Sequence, residues 1–269
     1  MKLRLYGPNL SYNGDAELGV VNSWGLYTGT TSGAAASLSV NTASPHAGSY
    51  DFYLDISSGG SGISAVQVYQ PGLSTPLGVK TALQFAGKAE DARQTTVSYM
   101  LGLSPWTAYL YEVVSLSTAY QNFEETFVMA TQVNSGRITF YCGSGPVAQD
   151  IYFDNIGLRN YIELPTTYEY SATENLTRKD VRTKAGNLYS YIEPGSFRRF
   201  TLPLVHVNSA DRSLVNSWWA TGSELRFVED STYPFSFSNV RIVGEREPLT
   251  KFMPPYSSEY EGELVLETV

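Results

Sequence analysis

Few residues in this chain could do chemistry, and their spacing narrows what that chemistry is. In DIYFDNIGL (Asp150–Leu158) an acid and an amide, Asp154 and Asn155, stand at the centre of a segment that alternates like a strand. β-Propensity disfavours both there. Either the segment holds a turn or bulge and the side chains bond local backbone, or the carboxylate binds something. His46 (SPHAG) and His206 (LPLVHVN) are the only histidines, and neither has a Cys or Asp cluster beside it, which makes a poor metal site. His46 reads as a turn residue and His206 as a half-buried strand residue. Cys142, the single cysteine, ends the strand-like ITFYCGSG and reads as a buried structural thiol; no intramolecular disulfide is possible. GSGP (Gly143–Pro146) is followed by neither a helix nor a lysine at phosphate-loop spacing, and no G-x-S-x-G elbow occurs. Carboxylates are numerous enough for a glycosidase pair, but no motif singles one out. The expectation is a protein that is not an enzyme.

The frame that must position these residues is 269 residues long, enough for one large or two ordinary domains. Hydrophobic residues make up 42% and charged residues 16%, so a sizeable core is available and wholesale disorder is not expected. A formal net charge of −8 argues against nucleic acid or an anionic membrane as partner, because little would neutralise phosphates. The opening MKLRLYGPNL lacks the apolar core of a signal peptide, and no stretch approaches the length of a transmembrane helix. No signal peptide, no membrane insertion and assembly in a cytoplasm are therefore expected. Abundant Tyr and Gly with sparse Lys suit short strands, polar turns and surfaces that make contact through tyrosine.

Strand signals dominate. The segments 49–57, 63–70, 81–89, 95–103, 108–116, 124–133 and 136–143 alternate or run β-branched and aromatic, with Gly, Ser, Asn and Pro clusters between them. No helical periodicity intervenes, which predicts an all-β fold opening with a jelly-roll β-sandwich. The texture changes after DNIGLRNYIELP, so the boundary is expected near Asn160–Pro165. This gives a sandwich over 1–160 and a smaller β-domain with one short helix over 165–269. In the second part, strands are expected at 188–193, 198–207, 224–230, 238–244 and 261–269. The closing YEGELVLETV is expected as an exposed edge that could pair with another subunit. NSADRSLVNSWWATG reads as the helix. Asn208 or Ser209 caps it, and Asp211 lies in the first turn, where the helix dipole favours an acid. Leu214, Val215, Trp218 and Trp219 form one apolar stripe, and Gly222 is placed for the C-cap. The Trp pair is expected to pack the helix on a sheet.

The order of features over the first 160 residues resembles carbohydrate-binding modules of families four and nine. NLSYNGDAELG (Asn9–Gly19) is close to that family's opening N-G-D-F-E, with Ala16 in place of the aromatic. Trp24 in VNSWGLY follows, then SPHAGSYDFYLDI, VQVYQPGL and TALQFAGKAE. The close, DIYFDNIGL, resembles a terminal I-D-N-V-x-L. The resemblance implies a structural calcium tying the first and last strands together. Glu17 and Asp154 would be its side-chain ligands, and backbone carbonyls near Ser49 and Asp51 would complete the shell; hard oxygen ligands of this mixture are normal for calcium. It also implies glycan binding by aromatic stacking and hydrogen bonds to hydroxyls. The candidates are Gln67, Tyr69, Trp106, Tyr109 and Tyr111. Trp106 lies in a loop and is the best placed for exposure, and Tyr109 and Tyr111 are expected on one strand face. Trp24 is expected in the core.

The block from Asn187 to Val269 resembles the small β-domains of tailed-phage tail and baseplate proteins. Phe200, Leu202, Leu204, Trp218, Trp219, Leu225, Phe227, Val240, Ile242, Pro248, Tyr260, Gly262 and Leu264 fill the matching places. These are structural positions and include no catalytic group. Together the two resemblances imply a virion structural protein, a minor tail protein assembled in the bacterial cytoplasm. It would contact other tail or baseplate subunits in a symmetric oligomer and present a module to cell-surface polysaccharide. The alternative is a glycan-binding accessory module of a polysaccharide-degrading enzyme.

Overall fold

The computed structural model describes residues 2–29, 32–143, 149–164, 171–175, 178–182, 188–192, 197–252 and 259–269. The GSGP segment beyond Gly143 and residues 165–170 lie outside the described residues. The chain divides into two compact units, one of Asn9–Tyr161 and one of Met1–Pro8 with Ile162–Val269. Both are antiparallel β structures, as the alternation predicts, and a single α-helix is present among the described residues. One difference concerns the first eight residues, expected in the sandwich. The first strand, β1 (Leu3–Tyr6), pairs antiparallel with the segment Leu225–Val228 and belongs to the second unit. Four residues of alternation state that a strand exists but not which partner it takes.

The Asn9–Tyr161 unit contains β2 (Gly25–Thr28), β3 (Ala35–Asn41), β4 (Asp51–Ser58), β5 (Val66–Thr75), β6 (Lys80–Ala89), β7 (Arg93–Leu101), β8 (Ala108–Leu116), β9 (Gln121–Val128), β10 (Val133–Tyr141) and most of β11 (Ile151–Leu164). One sheet runs β3-β4-β11-β6-β9 and the other β2-β5-β10-β7-β8. The apolar half of each alternation is shared in one core: Phe52, Leu54, Phe85 and Phe153 from the first sheet meet Val68, Val97, Ile138 and Phe140 from the second. Ring centroids of Phe140 lie 4.4 Å from Phe153 and 5.1 Å from Phe85. Trp24 packs against Phe52 and Phe140, in the core as expected. Burying each such ring contributes about 1.5–3 kcal/mol, which is why the period-2 pattern fixes the register of every inner strand.

Two bulges interrupt that period. In β11, Asp154 opposes Ala86 and Gly157 opposes Gln84, so Asn155 and Ile156 share one partner position. Asn155 takes a φ of 51°, a left-handed conformation that Asn tolerates better than most residues. The freed Ile156 carbonyl accepts from Ser11 Oγ (2.8 Å) and Asn9 Nδ2 (3.2 Å), and its N–H donates to the Gly14 carbonyl. The acid and amide in mid-strand are therefore a bulge knitted to the Asn9–Gly14 segment. In β8, Leu110 opposes Tyr99 and Ala108 opposes Met100, leaving Tyr109 as the extra residue.

The second unit adds β12 (Ser171–Asn175), β13 (Arg178–Arg182), β14 (Leu188–Ile192), β15 (Phe197–Asn208), α1 (Ser209–Thr221), β16 (Leu225–Val228), β17 (Ser238–Ile242), β18 (Lys251–Phe252) and β19 (Glu259–Thr268). Its sheet runs β12-β15-β19-β17-β16-β1, with β18 added to β19 and β13 paired with β14. The closing strand β19 lies between β15 and β17, not at the exposed edge expected from the sequence. Leu264 and Leu266 are fully buried, but alternation reads the same for an interior strand as for an edge strand covered on one face. His206 has a positive φ at a bulge in β15, and its Nδ1 lies 2.5 Å from Glu259 Oε2.

Helix α1 follows its end signals closely. Asn208 accepts the Asp211 N–H at 2.8 Å, and Gly222 takes the left-handed C-cap with its N–H on the Trp219 carbonyl. Trp218 is buried, whereas Trp219 is half-buried with Nε1 donating to the Gly244 carbonyl. The Trp218 indole lies so close to Gly7 that a Cβ there would sit 2.7 Å from its ring.

Candidate functional site

The outer half of each alternation in the β2-β5-β10-β7-β8 sheet builds a groove. Register sets its rows: Tyr69, Thr139, Ser98 and Tyr111 face one another across four strands. Gln67, Tyr141, Thr96 and Val113 form the next row, with Tyr27 opposite Gln67 on β2. Arg137, Met100 and Ala108 form the row on the other side. Three strand spacings separate Tyr69 from Tyr111, roughly 14 Å between their backbones. The small buried side chains of Thr139 and Ser98 lie between them, so the middle of the face is a trough. Its volume is about 530 Å³, and Tyr27, Gln67, Tyr69, Trp106, Tyr111 and Arg137 are among its lining residues.

Four of the five expected glycan-contacting residues come together here: Gln67, Tyr69, Trp106 and Tyr111. Tyr109 does not. The bulge in β8 turns it away from Tyr111, and its ring packs against the core beside Tyr99 at 6.3 Å, with its hydroxyl on Thr131 Oγ1. The expectation that Tyr109 and Tyr111 share a face is thereby corrected, since strict alternation fails at an extra residue. Trp106 is 49% exposed, Tyr111 54% and Tyr27 50%. Tyr69 is different. Its ring lies against Gly25, where a Cβ would come within 2.5 Å of it, and the Arg137 guanidinium covers the ring at 4.1 Å. Tyr27, Arg137 and Tyr141 were not singled out from the sequence. Their outward parity on short strands was the available signal, and it is shared by every surface residue.

Arg137 is held from several sides. Its Nε donates to Thr139 Oγ1 (2.9 Å) and its Nη2 to Gln67 Oε1 (2.6 Å), while Gln67 Nε2 donates to the Ser64 carbonyl. The Trp106 ring lies 5.7 Å from the guanidinium carbon. Burial lowers the Arg137 pKa from its ordinary value.

The expected calcium ligands gather around the turn 46–51. Glu17 Oε1 accepts the N–H groups of Ser49 (2.8 Å) and Tyr50 (3.0 Å). Asp154 is fully buried; its Oδ2 accepts from Ala47 N–H and its Oδ1 from Asn155 N–H. Asp51 is also fully buried, bonded to Asn41 Nδ2 and the Tyr120 hydroxyl. Burial, opposed by those backbone bonds and reinforced by the Asp51 charge, pushes the Asp154 carboxyl up to about 6. Burial and the bond to Asp51 push the Tyr120 hydroxyl up as well. Among the described residues no three His, Cys, Asp or Glu side chains form a metal-holding group. The two carboxylates are hard oxygens and suit calcium in kind, but each is met by backbone N–H groups of the turn or bulge. A calcium here would draw most of its shell from carbonyls and water. His46 is part of the same turn, with Nδ1 3.2 Å from Asn155 Nδ2.

Cys142 is buried beside Thr95, and burial raises its thiol to about 11, so it is the inert thiol its strand-end position suggested. No helix among the described residues is long and apolar enough to cross a membrane.

No protein-family model matches this chain, and no curated protein matches it. Solved structures do resemble it in part. A family-four carbohydrate-binding module ("CBM4 structure and function") has 22% identity over 55% of this chain and 98% of that one, with a TM-score of 0.48. The N-terminal cellulose-binding domain of Cellulomonas fimi β-1,4-glucanase C has 16% identity over 53% of this chain and 91% of its own, with a TM-score of 0.41. The enzymatically active domain of bacteriophage CBA120 tailspike protein 4 has 16% identity over 56% of this chain but only 21% of its own, with a TM-score of 0.45. Structures that this chain is similar to therefore include carbohydrate-binding modules and a phage tailspike domain.

Proposed function

We propose that Asn9–Tyr161 is a non-enzymatic glycan-binding module whose ligand lies in the groove across β5, β10, β7 and β8. One observation carries this reading: the half-exposed rings of Tyr27, Trp106 and Tyr111 converge on one trough together with the polar groups of Gln67 and Arg137. Apolar sugar faces stack on such rings, and a few placed donors and acceptors orient the hydroxyls. Large aromatics left at a concave surface are uncommon unless something covers them. Calcium bound by Glu17, Asp154 and carbonyls of the 46–51 turn is part of the proposal, as a structural tie between the bulge and that turn. For the second unit we propose docking to other subunits of a phage tail or baseplate, within a symmetric oligomer in the virion, so that the module meets host surface polysaccharide. That assignment rests on the packing residues from Phe200 to Leu264. An accessory module of a polysaccharide-degrading enzyme would use the same groove, and mass spectrometry of purified particles separates the two settings.

The groove itself is tested by titrating the full chain with soluble polysaccharides by affinity electrophoresis. Trp106→Ala and Tyr111→Ala should each weaken retardation, since losing a stacked ring costs about 1–3 kcal/mol. Tyr109→Phe, which touches only the bond to Thr131, should not. Retardation that both alanine variants retain in full would sink the assignment.

A further inference from the structure

We propose that the groove selects glycans bearing a carboxylate, that is hexuronate-containing polysaccharides, and that Arg137 is the residue that reads it. The inference rests on the glycan-binding reading above and goes beyond it in naming the chemical class of ligand.

Arg137 is the only charged side chain lining the groove among the described residues. It forms no ion pair among them, although the chain carries 26 acids against 18 basic residues. Arg198, Arg199 and Arg212, in the other unit, are each paired with a glutamate. Arg93, in the same unit, also lacks an ion pair among the described residues but is met by the Cys142 and Gly143 carbonyls, whereas Arg137 faces an open groove lined by tyrosines, a tryptophan, a methionine and a glutamine. Its surroundings fix its orientation without neutralising it. Tyr69 supports one ring-stacked face, Thr139 takes Nε–H and Gln67 takes one Nη2–H. A guanidinium has five N–H donors, so two bonds leave three, including both on Nη1, without a partner among the described residues.

A half-buried cation held in place, partly stripped of water and lacking a counter-charge, has its complement in an anion supplied by the ligand. A neutral hydroxyl would take these N–H donors one at a time, whereas a carboxylate would take two at once and supply the missing counter-charge. The guanidinium edge is planar, and its fork matches a planar carboxylate through two parallel bonds. Tyr69 stacks on one face of the guanidinium at 4.1 Å and the Trp106 ring lies 5.7 Å from its central carbon, while the Nη1 edge carries no bond among the described residues. A uronate whose ring stacks on Tyr111 or Trp106 can bring its C5 carboxylate to that edge.

The test is calorimetric titration of the full chain with four probes: an oligogalacturonate, its methyl ester, a neutral gluco-oligosaccharide and a sulfated oligosaccharide. The acid should bind about 10- to 100-fold more tightly than the ester, the scale of a charge-assisted bond lost, and added salt should erode only the acid's advantage. Arg137→Gln should bring acid and ester to the same affinity, and Arg137→Lys should recover only part of the difference because it lacks the fork. Unchanged melting curves for the lysine variant show that the fold is intact. Equal binding of acid and ester by the unaltered chain, or equal binding of the neutral oligosaccharide, overturns the inference and leaves the glycan-binding reading standing. Tighter binding of the sulfated probe overturns the carboxylate assignment. Silence with all four probes and with neutral polysaccharides overturns the glycan-binding reading itself, and this inference with it.

Discussion

Gly7→Ala should destabilise the unit that contains β1, and only while Trp218 is present. A Cβ on Gly7 would lie 2.7 Å from Trp218 Cε2 and Cζ2 and 2.8 Å from Nε1. Comfortable carbon contacts are about 3.5–4.0 Å, so the overlap approaches 1 Å. The indole is only 6% exposed and has little room to withdraw. Overpacking of this kind costs about 1–3 kcal/mol. Gly7 is not in the left-handed region, so an alanine there is not forced into it; by restricting the unfolded chain it would favour folding by about 0.4–1 kcal/mol wherever the native backbone is compatible. Trp218→Ala alone should cost about 3–5 kcal/mol. In that background Gly7→Ala should be neutral or slightly stabilising, which gives a coupling of about 1–3 kcal/mol in a double-mutant cycle. Urea unfolding of the four full-length proteins measures it. Additive effects, or a single Gly7→Ala that stabilises, would refute the packing of Gly7 against the Trp218 indole. Trp219→Ala should cost less than Trp218→Ala, because Trp219 is only half-buried.

Chelation should lower the melting temperature of the full chain and calcium should restore it, since an ion bound only to the native state contributes about 2.7 kcal/mol at a hundred times its Kd. The carboxyl of Asp154 is pushed to about 6 and must be ionised to bind metal, so the calcium effect should be larger at pH 7 than at pH 5. An unmoved melt with no metal by elemental analysis would remove the site. Cys142, buried and with its thiol raised to about 11, should resist iodoacetamide at pH 8 in the native protein and react after denaturation. Labelling of the native chain at the rate of a free thiol would contradict its burial.

What was legible in the sequence was local. The helix ends at Asn208 and Gly222 follow from side-chain and glycine chemistry within a few residues, and Trp24 and the inner strand residues follow from period-2 burial. Gln67, Tyr69, Trp106 and Tyr111 were legible through the resemblance to carbohydrate-binding modules, whereas Tyr27 and Tyr141, outward aromatics that the resemblance did not single out, were not. What was not legible depended on pairing. β1 could not declare its partner, β19 could not declare itself interior, and the bulge that withdraws Tyr109 exists only relative to β7. Arg137 looked like any surface base, because its isolation from carboxylates is set by four strands at once. The Asp154-Asn155 pair allowed a bulge or a ligand, and the structure shows the bulge with Asp154 turned into the 46–51 turn.

The central claim is that a saccharide lies on the outer face of the β2-β5-β10-β7-β8 sheet, and the measurement that tests it most directly is chemical-shift mapping of the isotope-labelled full chain during titration with an oligosaccharide that it binds. The account predicts the largest shifts at Gln67, Tyr69, Ser98, Trp106, Tyr111 and Thr139, with a saturating change at the Trp106 indole N–H and little at Tyr109. Shifts centred on the β3-β4-β11-β6-β9 sheet, or on residues 162–269, would contradict it.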